Sequence, residues 1–221
     1  MKKTQEILKN CPLFYGVEES EIEKVLSDLG QNKCFAKKGE VIFCEGERAL
    51  YIGIVISGVV RVIREDYYGN RSILAHIGEG GIFGESFACA GVSALPVSVI
   101  AEEECSYLLI NCKKLISEPQ KSSFGHDRII FNLLKLVAEK NLVLNQKLEI
   151  TSKRTTREKL MAYLMNQAKL QGKEEFLIPY DRQALADYLE VDRSGLSSEI
   201  GRLKREGKIE CQKNCFRLLK G

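Results

Sequence analysis

Ten glycines fall between Lys38 and Ile110, at positions 39, 46, 53, 58, 69, 78, 80, 81, 84 and 91. Between them stand short β-branched runs: EVIFCEG, YIGIVISG, VVRVIRED, RSILAHI, PVSVIAEEE and CSYLLI. Short strands separated by turn residues at this spacing predict an antiparallel roll or barrel. In YYGNRS, Gly69-Asn70 is placed as a hairpin tip between two strands. VISGVVRV is expected to turn or bulge near Ser57-Gly58.

After Gly125 the texture reverses. HDRIIFNLLKLVAEKNLVLNQKLEI has no Gly or Pro, and one long helix is expected from Ser122 to about Thr151. Apolar residues appear at 129, 130, 133, 134, 136, 137, 142, 143, 144, 148 and 150, among others. That is wider than one amphipathic stripe, so more than one face must be covered. One side can pack on the roll. The other can pack on its twin in a second subunit, as in a coiled coil, with Lys140-Asn141 setting register. The alternative is burial within one chain. Ahead of the roll, residues 5–29 read as short helices around CPLFYGV, with Ile22, Val25, Leu26 and Leu29 on one face.

TSKRTTREKL restarts the chain. Thr155 or Thr156 caps a helix from about Thr156 to Leu170, with Leu160, Tyr163, Leu164 and Ala168 inward. Then comes DRQALADYLEVDRSGLSSEIGRLKREGKI. Asp181 caps a short helix that buries Leu185, Ala186 and Leu189. EVD turns the chain around Val191. Asp192 caps a second helix with Leu196, Ile200 and Leu203 inward. This is helix-turn-helix patterning, and the alternative is an ordinary helical hairpin. The second helix presents Arg193, Ser194, Ser197 and Ser198 where a major groove would be read. Arg193 can donate two hydrogen bonds to a guanine edge. Arg182, Arg202, Lys204, Arg205 and Lys208 can meet phosphates. KIECQKNCFRLLK reads as two strands, the wing of a winged helix, with Lys213 at its tip.

Charge follows the same division. Residues 1–150 carry 18 Lys+Arg and 20 Asp+Glu, a net of −2; residues 151–221 carry 15 and 10, a net of +5. A basic C-terminal third suggests a polyanionic partner. At 221 residues, two domains are expected. No apolar run approaches the length of a membrane span, and no secretory signal follows MKKTQEILKN, so a cytoplasmic location is expected. The eight cysteines, at 11, 34, 44, 89, 105, 112, 211 and 215, form no C-x-x-C pair. They read as reduced, mostly buried thiols, with a redox switch at one or two of them as the sharper reading.

Taken whole, the chain resembles the family of the cyclic-AMP receptor protein and its FNR relatives, from CPLFYGV to CFRLL. GEGGIFGESFACAG, PVSVIAEEECSYLLI, RTTREKLMAYL and the helix pair carry the resemblance. It implies an α+β fold: an N-terminal β-roll sensor of the cyclic-nucleotide-binding type over 1–120, a dimerisation helix over 121–150, and a C-terminal winged helix-turn-helix over 151–221. It implies a homodimer on a palindromic promoter, working with RNA polymerase. It also implies an effector site at Gly84, Glu85, Ser86, Phe87, Pro96 and Val97. Three departures matter. Leu95 and Pro96 stand where cyclic-nucleotide binders carry Arg-Ser or Arg-Thr, so the charge-assisted fork for a phosphate is missing. That argues against cyclic AMP. The N-terminal four-cysteine cluster of the iron–sulfur members is absent, and His76 does not fall at the haem ligand's place, so no cofactor is expected beyond an unknown small effector. Ser194 and Ser198 occupy the usual Glu and Arg places of the recognition helix, and Glu190 fills a turn place often held by Gly.

Three functions compete. The first is an effector-gated transcription regulator. The second is a small-molecule or redox-sensing module whose C-terminal domain contacts protein rather than DNA. The third is an enzyme, for which no nucleophile–base pair, metal cluster, P-loop or dinucleotide fingerprint is present.

Overall fold

The computed structural model describes residues 2–29, 32–68, 71–117 and 124–219. Two compact units divide the chain, residues 1–139 and 140–221. The first opens with α1 (Lys2–Asn10), a 3-10 turn at Pro12–Phe14 and α2 (Glu19–Asp28). Ile22, Val25, Leu26 and Leu29 are all buried, as their helical spacing predicts.

Eight strands follow: β1 (Asn32–Ala36), β2 (Val41–Phe43), β3 (Tyr51–Ser57), β4 (Val60–Glu65), β5 (Arg71–Ile77), β6 (Ile82–Phe83), β7 (Ser98–Ala101) and β8 (Cys105–Asn111). They form two antiparallel sheets, ordered β1-β8-β3-β6 and β2-β7-β4-β5. This is the antiparallel roll expected from the glycine punctuation. Ile52, Ile54 and Val55 are fully buried in β3, each contributing roughly 1.5–3 kcal/mol. A bulge between Val55 and Ser57 and a left-handed Gly58 (φ +79°) turn the chain into β4, where the sequence places a turn. The Gly69-Asn70 tip lies outside the described residues.

Between β6 and β7 sits α3 (Glu85–Ala90), and α4 (Cys112–Ser117) follows β8. The long helix is α5, Phe124–Thr151. Ile129 and Leu133 are buried in the first unit's core, and Ile150 is buried in the second's. Asn132 is buried as well; its amide donates to the Leu13 and Tyr15 carbonyls at 3.0 and 2.8 Å. Phe131, Leu134, Leu142, Val143, Leu144 and Leu148 stay more than half exposed.

The second unit contains α6 (Thr156–Gln171), β9 (Glu175–Leu177), α7 (Arg182–Leu189), α8 (Arg193–Arg205), β10 (Ile209–Gln212) and β11 (Cys215–Leu218). Thr155 caps α6 in a reciprocal pair with Glu158: each side chain serves the other's backbone N–H. The three strands form one antiparallel sheet, ordered β10-β11-β9. Leu160, Leu164, Leu185, Leu196, Leu203 and Phe216 share its core. Among the described residues, no helix is long and apolar enough to cross a membrane.

Candidate nucleic-acid interface

The helix pair is built from its caps. The Asp181 carboxylate accepts from Ala184 N at 2.8 Å and starts α7. Leu185, Ala186 and Leu189 face inward, and α7 ends on Glu190 in the left-handed region at φ +54°. The Lys159 ammonium donates to the Leu189 and Glu190 carbonyls at 3.2 and 3.3 Å, which satisfies acceptors that the helix end leaves open. Asp192 then caps α8, accepting from Gly195 N at 2.9 Å. Its carboxyl is held below the usual range by the Ser194 hydroxyl first, and then by the Gly195 N–H.

On α8, Leu196, Glu199, Ile200 and Leu203 are buried, while Arg193, Ser194, Ser197 and Ser198 are exposed. The sequence-derived reading face thus lies together on the first turns of one helix. The Arg193 backbone N–H adds to the Asp192 cap, while its guanidinium makes no ion pair or hydrogen bond among the described residues. Ser194 differs: its hydroxyl donates to Asp192, so it completes the cap and its donor is already used.

The expected phosphate contacts divide. Lys213 is exposed at the β10–β11 turn, with φ +53°. Arg205 and Lys208 are exposed. Arg182, by contrast, lies against the wing: its guanidinium donates to the Cys211 sulfur at 3.4 Å and stacks 5.1 Å from the Phe216 ring centre. Lys204 donates to the Cys211 carbonyl at 3.3 Å. Arg202 donates to Glu199 at 3.2 Å. These three cations brace the wing and α8, and would have to serve DNA from those positions.

A second bracing group has no signal in the sequence. Arg157 on α6 grips Glu206 with both terminal nitrogens and reaches Glu199 at 3.5 Å. Glu199 is 8% exposed, so α8 buries a carboxylate between Arg157 and Arg202. The partners stand 42 and 49 residues apart, beyond any local spacing rule.

In the roll, Gly84 adopts φ +77° and precedes α3; an added Cβ would lie 2.7 Å from the Phe43 ring and 3.1 Å from the Tyr51 carbonyl. Glu85 is buried and accepts from the Ser86 hydroxyl at 3.1 Å. Leu95 and Val97 are buried, Pro96 is exposed, and Phe87 is half-buried. Leu95 is fixed by a two-way backbone pair: its N–H donates to Glu47 at 2.8 Å and its carbonyl accepts from Gly46 at 2.9 Å. It borders a cavity of about 360 Å³ with Ile42, Phe43, Leu50, Tyr51 and Leu109; Glu47, Arg48 and Ala49 complete the wall. Gly84, Glu85, Ser86, Phe87, Pro96 and Val97 do not line this cavity. His76, on β5, pairs with Glu102 at 2.6 Å.

The thiols are less buried than their composition suggests. Cys11, Cys105 and Cys112 are buried, Cys44 is exposed, and the other four are intermediate.

Residues 33–120 match the cyclic nucleotide-binding domain, and residues 158–220 match the Crp-like helix-turn-helix domain. A curated relative, the cyclic AMP receptor protein of Thermus thermophilus, is 35% identical over 78 residues, 35% of this chain and 35% of that protein. The match therefore spans about a third of the relative's length. Among solved structures, the Thermus thermophilus catabolite activator protein superposes with a TM-score of 0.52 at 23% identity, covering 94% of this chain and 93% of that one. The c-di-GMP-responsive regulator CLP of Xanthomonas campestris gives a TM-score of 0.54 at 19% identity, covering 92% and 100%. At these identities the two structures speak to fold alone.

Proposed function

Because the chain belongs to the CRP/FNR family of transcription regulators, we propose that it is a homodimeric, sequence-specific DNA-binding regulator gated by a small effector. The outer face of α8 carries the reading. Arg193 and Ser197, one turn apart and exposed, are the base-reading pair, with Ser198 beside them and Ser194 holding the first turn. Lys213, Arg205 and Lys208 meet phosphates, and Arg182, Arg202 and Lys204 hold α8 and the wing in the presenting geometry.

The exposed apolar residues Phe131, Leu134, Leu142, Val143, Leu144 and Leu148 on α5 support the homodimer, because a helix leaves such side chains to water only at a cost. The dimer places two copies of α8 on a palindrome, with half-site centres about 34–36 Å apart. It works in the cytoplasm, with RNA polymerase as its partner at the promoter.

Gly84, Glu85, Ser86, Phe87, Pro96 and Val97 border the effector, between the roll and α5. Leu95, buried and backbone-clamped, offers no charge to a phosphate, and the buried Glu85 carboxylate disfavours one. The effector is accordingly apolar or weakly anionic rather than cyclic AMP.

In-vitro selection from a random DNA library with reduced full-length protein tests the reading. Enrichment of an inverted repeat is expected, with affinity falling steeply in salt. No enrichment with or without cell extract would favour a C-terminal domain that contacts protein.

A further inference from the structure

We propose that Cys89 and Cys112 form an oxidisable dithiol, a modification site that takes a hydroperoxide as co-substrate and closes to an intramolecular disulfide. The sulfurs stand 3.7 Å apart, and no other pair of thiols is hydrogen-bonded among the described residues. Cys89 lies next to the end of α3; Cys112 is the first residue of α4. The two segments are 23 residues apart in sequence and are brought together by the roll.

The pair is asymmetric in a useful way. Cys89 is half-buried, while Cys112 is 2% exposed. Cys112 packs in the core with Ala88, Leu108, Leu115, Ile129 and Leu133. The Cys112 thiol can donate its hydrogen bond to the Cys89 sulfur, which favours a thiolate there; burial and the Glu85 charge oppose it. The same contact, together with burial, raises Cys112 and keeps it a thiol. A partly open thiolate is the nucleophile for peroxide, and a buried neighbour is placed to resolve the product.

The chemistry balances in two steps. The Cys89 thiolate attacks one peroxide oxygen, the O–O bond breaks, and Cys89 becomes a sulfenic acid; the leaving alkoxide or hydroxide takes a proton and departs as alcohol or water. The Cys112 sulfur then attacks the Cys89 sulfur, the S–O bond breaks, the Cys112 proton goes to the departing hydroxide, and water leaves. Two thiols lose two electrons in total, and one peroxide gains them. The sulfurs must approach by about 1.7 Å to reach the ~2.05 Å bond, a movement within reach of side-chain rotation.

The disulfide would tie α3, which follows Gly84, to α4. Its effect on DNA affinity rests on the regulator reading; its formation does not.

Reduced full-length protein would be treated with one equivalent of hydrogen peroxide and quenched with an alkylating agent. It would then be digested with trypsin and a glutamate-specific protease, which separates the two cysteines at Glu102–Glu104. The expected result is a Cys89–Cys112 crosslinked peptide as the first product, and a free-thiol count falling from eight to six. Cys44→Ser should leave this unchanged. Cys112→Ser should leave a Cys89 sulfenic acid that dimedone traps. Both cysteines remaining alkylatable while the exposed Cys44 oxidises would overturn the proposal, and that comparison needs no variant. DNA affinity for a selected repeat should then shift by about fivefold or more on oxidation. A disulfide that leaves affinity unchanged would refute the gating. Absence of DNA binding in either redox state would instead count against the regulator reading, with the dithiol decided by the peptide map.

Discussion

Replacing Asp192 with Ala isolates the cap that holds the reading end of α8. In the wild-type chain the Asp192 carboxylate accepts from Gly195 N at 2.9 Å and from the Ser194 hydroxyl. The alanine variant loses both acceptors at an exposed helix start, where water partly replaces them, so the expected loss is about 1 kcal/mol, within the ~0.5–2 measured for such caps. The C-terminal unit spans residues 140–221, and in a unit of this size about 1 kcal/mol corresponds to a fall of ~4–8 °C in its melting temperature. Asp192→Asn keeps an acceptor and should restore most of the loss. The dependence on pH has a fixed sign. The folded carboxyl titrates below its ordinary value because the Ser194 hydroxyl and the Gly195 N–H stabilise the anion. Its stabilisation is therefore complete above the unfolded pKa of about 3.9 and is lost as pH falls through the lower folded value. Calorimetry of the full chain should show a constant gap between wild type and variant from neutral pH down to about pH 5, and a shrinking gap near pH 3. A variant that melts with the wild type at neutral pH, or a gap that widens on acidification, would refute the capping argument. Arg193 and Ser194 open the same turn, so the variant should also lose more affinity for a selected site than for random DNA.

Arg193→Ala should cost roughly 1–3 kcal/mol at the selected site and relax preference at one base pair, read by competition binding; retained specificity would remove Arg193 from base reading. Gly84→Ala must adopt φ +77° and push its Cβ to 2.7 Å from the Phe43 ring, and should destabilise the roll by about 2–4 kcal/mol in urea titration. Glu190→Gly relieves a left-handed non-glycine and gives up an exposed contact with Lys147, so a gain of up to about 1 kcal/mol is expected; a clear loss would mean that the side chain does more than pair. Burial pushes the Cys11 thiol up to about 11, so in native protein at neutral pH it should resist alkylation while Cys44 reacts, as differential labelling with mass spectrometry would show.

Much of the fold was legible because its signals are local. Glycine punctuation and β-branched runs marked β2, β3, β4, β5, β7 and β8, and the caps Thr155, Asp181 and Asp192 stand where short-range hydrogen bonding requires them. Three strands were not read, among them Glu175–Leu177 in β9, which is three residues long and is held by β11. NKCFA in β1 alternates too weakly, and Ile82–Phe83 in β6 is only two residues long; these two exist because β8 and β3 offer them edges. In the candidate interface, the face of α8 followed from periodicity. The roles of Arg182, Lys204 and Arg202 did not, because their partners come from the wing or from a buried carboxylate. Arg157 and Lys159 were invisible for the same reason: each acts across tens of residues, through tertiary packing alone.

The buried Glu199 carboxylate, gripped from α6 by Arg157 and along its own helix by Arg202, restricts what kind of signal this regulator can send. Turning α8 about its axis would drag a charge into the core or strip it of its partners, at a cost of several kcal/mol. Changing which side chains face the bases is thus the expensive motion, and carrying the helix as a rigid piece is the cheap one. On the proposed reading of an effector-gated dimer, an effector or an oxidant would then alter how strongly the two copies of α8 fit a given half-site spacing, and leave the letters read within each half-site unchanged. One consensus should serve both the active and the inactive protein, with only its occupancy differing between them.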